Sequence, residues 1–222
     1  MIPKKIHYCW FGHSEKPKLA KKCIASWKKY LPEYEIKEWN ESNFDLDKYP
    51  YVREAYDNRK FAFVTDVVRL YALYYEGGVY MDTDVEVLKP LDMLLQYDAV
   101  SGFESNALIP TGLMASKEGM PIFKELLSDM TTNVVRITKT LNKYGFIPNN
   151  KLQTVCGFTL LPKDFLCPKS TEDGKIRLTS NTLTIHHFAG SWNPKWRNVT
   201  RNFVLKIGGI RLKNILKKIF RI

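Results

Sequence analysis

The clearest periodicity in the chain runs over residues 64–75, where Val64, Val67, Val68 and Tyr71 recur at helical intervals with Leu70, Leu73 and Tyr74 beside them. Apolar residues at that spacing line one face of a helix, so the stretch predicts a buried one. Gly77 and Gly78 end it, because glycine accepts the left-handed turn that closes helices. Val79, Tyr80 and Met81 then predict a short core strand. Earlier in the chain, residues 6–11 are apolar and aromatic and predict a first strand. Residues 19–31 place Leu19, Cys23, Ile24, Trp27 and Leu31 on one helical face, with Lys21, Lys22, Lys28 and Lys29 between them. Residues 34–39 predict a second strand, so the opening is β-α-β and its strands are expected to be parallel. Residues 40–50 are polar and loop-like, and a helix is expected over 51–56. Beyond the central stretch the pattern predicts strands over 85–88, 99–104, 154–161 and 183–188 and a helix over 121–130, with Pro121 in its first turn. Residues 134–150 suggest no definite element.

Chemistry enters directly after the strand at 79–81. Asp82 and Asp84 lie two apart, which on an extended chain turns both to one side. Two carboxylates at the end of a buried strand lose hydration and repel each other, so they need compensation. A divalent cation with oxygen ligands would provide it, although Asp-x-Asp is also a common surface turn. On the preceding helix Asp66 and Arg69 share a face among apolar neighbours, unlike a solvated surface pair. Trp10, at the end of the first strand, reads as a core residue or as a stacking platform for a nucleobase, since ligands of open α/β sheets bind beyond the strands' carboxyl ends. His186 and His187 fall on opposite faces of the last strand, so at most one of them serves a metal.

Composition adds two constraints. The chain of 222 residues is long enough for one full core, and its formal charge is +11. No Asp or Glu occurs after Asp173, whereas eleven Lys and Arg do, so residues 1–173 balance at 34 − 11 = 23 basic against 23 acidic. An anionic partner is therefore expected at the C-terminal end. There Leu212, Ile215, Leu216, Ile219 and Phe220 form one helical face, and Arg211, Lys213, Lys217, Lys218 and Arg221 fill the other. This amphipathic tail either docks on the domain or lies on a membrane. An anionic membrane surface, met through residues 204–222, is the reading preferred here. Nucleic acid is not expected, because no recognition motif accompanies the charge. Cys9, Cys23, Cys156 and Cys167 show no paired spacing, which points to reduced thiols. No signal-peptide pattern and no membrane-length apolar run is seen, so a cytoplasmic protein at the inner face of the membrane is expected.

The run Asp66-x-x-Arg69, Gly77-Gly78-Val79-Tyr80 and Asp82-Thr83-Asp84 closely resembles the sugar-transferring region of family 32 glycosyltransferases. That family contains capsule and polysaccharide enzymes and yeast mannosyltransferases, and is similar to the catalytic core of clostridial glucosylating toxins. The resemblance implies an α/β fold of the nucleotide-sugar (GT-A) type, Rossmann-like with a mainly parallel twisted sheet flanked by helices. It would span residues 1–200, with 201–222 as the tail. It further implies retaining transfer from a nucleotide-diphosphate sugar, a UDP-sugar before a GDP-sugar, to a saccharide or lipid-linked saccharide in polysaccharide or capsule synthesis. Asp82, Asp84 and His187 would hold Mn²⁺ or Mg²⁺, with His187 opening a His-x-x-Gly segment. Trp10 would stack on the base, Asp66 and Arg69 would position donor sugar and phosphate, and Ser191 and Trp192 would lie near the diphosphate. Asp66, Arg69, Asp82 and Asp84 are thus the expected catalytic set, while Glu104, Asn106 and Thr111 are weaker candidates. A metal-dependent nucleotidyl- or phosphotransferase and a non-catalytic module binding membrane or nucleic acid are the alternatives.

Overall fold

Both glycines after the central helix have positive φ, +64° at Gly77 and +96° at Gly78. A Cβ on Gly78 would stand 2.6 Å from the Lys5 carbonyl oxygen, so the turn into the next strand requires glycine sterically as well as conformationally. The computed structural model describes residues 1–105, 108–128 and 133–190. Asn106, Ser191, Trp192 and the tail 201–222 lie outside the described residues.

The first half of the fold is β1 (Lys5–Cys9), α1 (Lys18–Tyr30), β2 (Glu35–Trp39), α2 (Pro50–Asp57), α3 (Phe61–Tyr75), β3 (Gly78–Met81) and β4 (Val85–Val87). The second half is β5 (Ala99–Gly102), β6 (Leu113–Ser116), α4 (Pro121–Ser128), α5 (Asn133–Asn142), β7 (Gln153–Val155), β8 (Phe158–Leu161), α6 (Lys163–Leu166) and β9 (Thr184–His186). The main sheet has seven strands in the order β2-β1-β3-β6-β5-β8-β7, and β4 pairs with β9 in a separate ribbon. β1 runs parallel to both β2 and β3, β6 is antiparallel to β3 and β5, and β8 is parallel to β5. Strands β1, β2, β3, β5 and β8 therefore point the same way, and their C-terminal ends form one edge. This is a mixed, largely parallel α/β sheet.

Two apolar layers flank the sheet. Val64, Val68, Leu70 and Leu73 of α3 pack with Cys9, Tyr80, Met114 and Phe158 on one face. Cys23 and Trp27 of α1 pack with Ile6, Tyr8, Val79, Met81 and Val85 on the other. Alternation along β1 thus sends Tyr8 and Cys9 into opposite layers, as period-two geometry requires. A buried neutral histidine braces β1 to β2 and to the glycine turn. Trp39 Nε1–H donates to His7 Nδ1 at 3.1 Å, and His7 Nε2–H donates to the Gly77 carbonyl at 2.7 Å.

Two expectations change. The single strand expected over 154–161 is a hairpin, β7 antiparallel to β8, because Cys156 (φ 50°) and Gly157 (φ 76°) both take the left-handed conformation between them. The unassigned stretch from 134 contains α5, whose Ile137 and Leu141 are fully buried.

Candidate functional site

The two aspartates meet through a turn and not through strand alternation. β3 stops at Met81, although the Asp82 amide still donates to the Gly112 carbonyl at 2.8 Å. The Val85 amide then donates to the Asp82 carbonyl at 2.9 Å, closing a turn over 82–85. The chain leaves this turn as β4 and pairs with β9 in a register that sets Val85 opposite His186. One ligand atom from each of Asp82, Asp84 and His186 consequently lies within 4.8 Å of the other two.

Asp82 is held from inside the domain. Tyr80 Oη–H donates to its Oδ1 at 2.8 Å, and Arg69 Nη2 stands 3.2 Å from the same oxygen. Arg69 is only 5% exposed. It also reaches Asp66 Oδ1 at 3.4 Å, donates to the Thr111 carbonyl at 2.8 Å and lies 4.9 Å from the centre of the Tyr80 ring. The expected Asp66–Arg69 pair therefore forms, and its guanidinium carries a second carboxylate, the arrangement for which arginine's planar fork is suited. Burial alone would lower the arginine's pKa, but Asp82, Tyr80 and Asp66 raise it above its ordinary value.

Asp84 is held from the C-terminal side. Its Oδ1 lies 3.3 Å from His186 Nε2, its Oδ2 accepts the Ala189 amide at 2.7 Å, and its carbonyl accepts the His187 amide at 3.0 Å. Burial opposes charge on both partners, yet the contact with Asp84 raises the His186 pKa well above the usual imidazole range and His186 lowers that of Asp84. Two carboxylates with one imidazole are a donor set that fits a divalent ion. Gly112 makes room for the ring: a Cβ there would stand 2.6 Å from His186 Cε1.

His187, expected among the ligands, points away from this cluster. Its Nε2 lies 2.8 Å from Glu86 Oε2, which also pairs with Lys22 of α1 at 2.8 Å. Opposite faces for the two histidines are observed, but the register of β4 against β9 brings His186 to the aspartates. No local signal separates the two, since that register is set by residues about a hundred positions away.

Trp10 sits at the C-terminal end of β1, partly buried against the α1 layer. Its Nε1–H donates to the Ser14 carbonyl at 2.6 Å, and the Lys16 ammonium lies 5.6 Å from its ring centre. Glu104, just past β5, lies close enough to Asp82, His186 and Lys163 for charge interaction, and burial raises its pKa. Thr111 contributes its carbonyl to Arg69.

A family model described as "Glycosyltransferase sugar-binding region containing DXD motif" matches residues 17–101. The chain carries this glycosyltransferase region. The match contains Asp66, Arg69, Asp82 and Asp84, whereas Trp10, Glu104 and His186 fall outside it. Inositol phosphoceramide mannosyltransferase 3 of Schizosaccharomyces pombe is 29% identical over 136 residues, 58% of this chain and 37% of the relative. Mannosyl phosphorylinositol ceramide synthase SUR1 of Saccharomyces cerevisiae is 27% identical over 163 residues, 72% of this chain and 40% of the relative. The chain thus spans about two fifths of the curated relatives it matches. Among solved structures, PaToxG glycosyltransferase is similar with a TM-score of 0.49 and 23% identity, over 57% of this chain and 58% of that one. A glycosyltransferase involved in glycosylation of the major capsid of PBCV-1 has a TM-score of 0.45 and 13% identity, over 91% and 99%. The carboxylate pair and the buried arginine of the matched region meet the histidine of β9, which lies outside it, at the C-terminal edge of the sheet. This is where an α/β fold binds a nucleotide ligand.

Proposed function

We propose that the chain transfers a hexose from a nucleotide-diphosphate sugar, a UDP-sugar before a GDP-sugar, to a hydroxyl of a saccharide or lipid-linked acceptor. The observation that carries this reading is the convergence of Asp82, Asp84 and His186 within 4.8 Å beside a buried Arg69–Asp66 pair. Asp82, Asp84 and His186 would hold the divalent ion, Mn²⁺ or Mg²⁺, which when bound would supply positive charge against the departing nucleoside diphosphate. Arg69 fixes Asp82 and, with Asp66, orients the donor sugar and phosphate, and Trp10 supports the base. Two matched relatives are named for mannose and inositol phosphoceramide, which favours a mannosyl donor and a hydroxyl-rich lipid headgroup as acceptor. Transfer proceeds with retention at the front face, a reading that an inverted product linkage in the NMR spectrum would end.

The closing experiment follows nucleoside diphosphate released from a panel of UDP- and GDP-sugars with Mn²⁺, comparing the wild type with Asp84→Asn. Metal-dependent release from one donor, lost in the variant, supports the reading. Absence of metal-dependent binding of every nucleotide sugar by the folded protein removes it.

We place the enzyme in polysaccharide, capsule or glycolipid synthesis at the cytoplasmic face of a membrane, with residues 204–222 against anionic lipid and no nucleic-acid partner. Their basic and apolar alternation supports this. Removal of 204–222 should abolish sedimentation with phosphatidylserine vesicles; undiminished sedimentation would refute the assignment.

A further inference from the structure

Strand order gives the site a direction. Along the shared C-terminal edge, Trp10 follows β1, Asp82 follows β3 and Glu104 follows β5, with β6 between the last two strands. A nucleotide sugar is equally linear, running from nucleoside through diphosphate to sugar, and the acceptor approaches from the far end. With the base toward β1 and the diphosphate at Asp82, Asp84 and His186, the sugar and then the acceptor must continue toward β6 and β5. This argument rests on the function proposed above.

Glu104 is the carboxylate at that far end. Phe103 before it is fully buried, while Glu104 itself is half-buried and its charge interacts with those of Asp82 and His186. Its amide donates to the Leu108 carbonyl at 2.8 Å. The surrounding chain is tied to the same scaffold as Asp82: Ser101 Oγ–H donates to the Leu113 carbonyl at 2.7 Å, and Arg69 donates to Thr111. Among the described residues, none donates a hydrogen bond to the Glu104 carboxylate or lies within ion-pair distance of it. A carboxylate kept partly out of water without donors is unfavourable unless a ligand supplies them.

We propose that Glu104 is the acceptor-binding residue, its carboxylate accepting a hydrogen bond from a hydroxyl of a saccharide or polyol acceptor and orienting it toward the sugar beside Asp82, Asp84 and His186. Orientation of this kind favours transfer over reaction with water.

The test compares Glu104→Gln with the wild type, using the donor and Mn²⁺. Methyl α-mannoside, methyl α-glucoside and myo-inositol serve as acceptor probes. The glutamine keeps shape and size but replaces one acceptor oxygen with a donor. The expected result is a rise in acceptor KM and a fall of about tenfold or more in the ratio of transfer to donor hydrolysis. Calorimetric affinity for nucleoside diphosphate with Mn²⁺ should stay within about twofold, against the tenfold or greater change that disturbing a metal ligand's support produces. An unchanged transfer ratio overturns the proposal, as does a loss of metal-dependent nucleotide affinity, which would assign Glu104 to the donor side. Wild-type protein that hydrolyses the donor but transfers to none of the three polyols overturns it while leaving the glycosyltransfer reading intact. Failure of that reading shows separately, as absence of metal-dependent donor binding in the wild type.

Discussion

Asp82 and Asp84 stand two residues apart, yet one is braced by the domain interior and the other by β9 and the segment that follows it. Asp82 rests on Tyr80 and Arg69, side chains from β3 and α3 that are themselves buried in the core. Asp84 instead holds His186 and the Ala189 amide, partners supplied by β9 and the residues after it. One carboxylate is thus preorganised by packing, and the other is held by a long-range contact. The same division separates two histidines. His7, in the domain interior, lies between an indole N–H and a carbonyl, whereas His186, at the site, faces the Asp84 carboxylate, which raises its pKa.

The largest effect should come from the braced side. Arg69→Met leaves Asp66 and Asp82 without their shared cation and should lower unfolding free energy by about 3–5 kcal/mol, the range for breaking a buried charge pair. Urea denaturation measures this. A loss under about 1 kcal/mol would mean that Asp82 is no better braced than a surface carboxylate.

Next come the histidines, whose pH signatures oppose each other. Burial pulls the His7 pKa down to about 4, below its ordinary value of 6.5, so its contribution to stability is present above pH 6.5 and is lost as pH falls toward 4. That shift corresponds to about 3 kcal/mol at most. The His186 pKa is raised despite burial, so in the metal-free protein its contribution is complete below 6.5 and is lost as pH rises through the folded value. NMR titration of the ring protons should find His7 neutral and His186 charged at pH 6; any other pairing erases the contrast.

The smallest change tests the completed side alone. Gly112→Ala drives a methyl group into the His186 ring while keeping the backbone carbonyls that Asp82 and Arg69 use, and φ at this position is ordinary. Mn²⁺ affinity should fall about tenfold, as when a ligand's support is disturbed, with a stability loss of about 1–3 kcal/mol from overpacking. Equal affinity in wild type and variant would show that His186 does not contribute to metal binding.

What could be read from the sequence divides along the same line. α3, the glycine pair, β3 and both aspartates lie within one continuous stretch, so periodicity and turn chemistry sufficed to find them, although a turn rather than strand alternation brings the aspartates together. The Asp66–Arg69 pair was legible for the same reason. His186 was not, because the choice between it and His187 depends on a register fixed across the β4–β9 ribbon. The hairpin at 156–157 was hidden by a cysteine in a left-handed conformation that favours asparagine or glycine. Glu104 could be seen as a carboxylate after a strand, but only the order β3-β6-β5 puts that strand beyond the aspartates from Trp10.

The ribbon also sets a clock on the ribosome. His186 follows Asp84 by 186 − 84 = 102 residues. At ~5–20 residues per second, about 5–20 s of synthesis separate the two residues. Throughout that interval the emerging chain already carries the aspartate pair and its arginine without the imidazole. The nascent polypeptide passes through this stage with Asp84 lacking the partners that β9 and the residues after it supply.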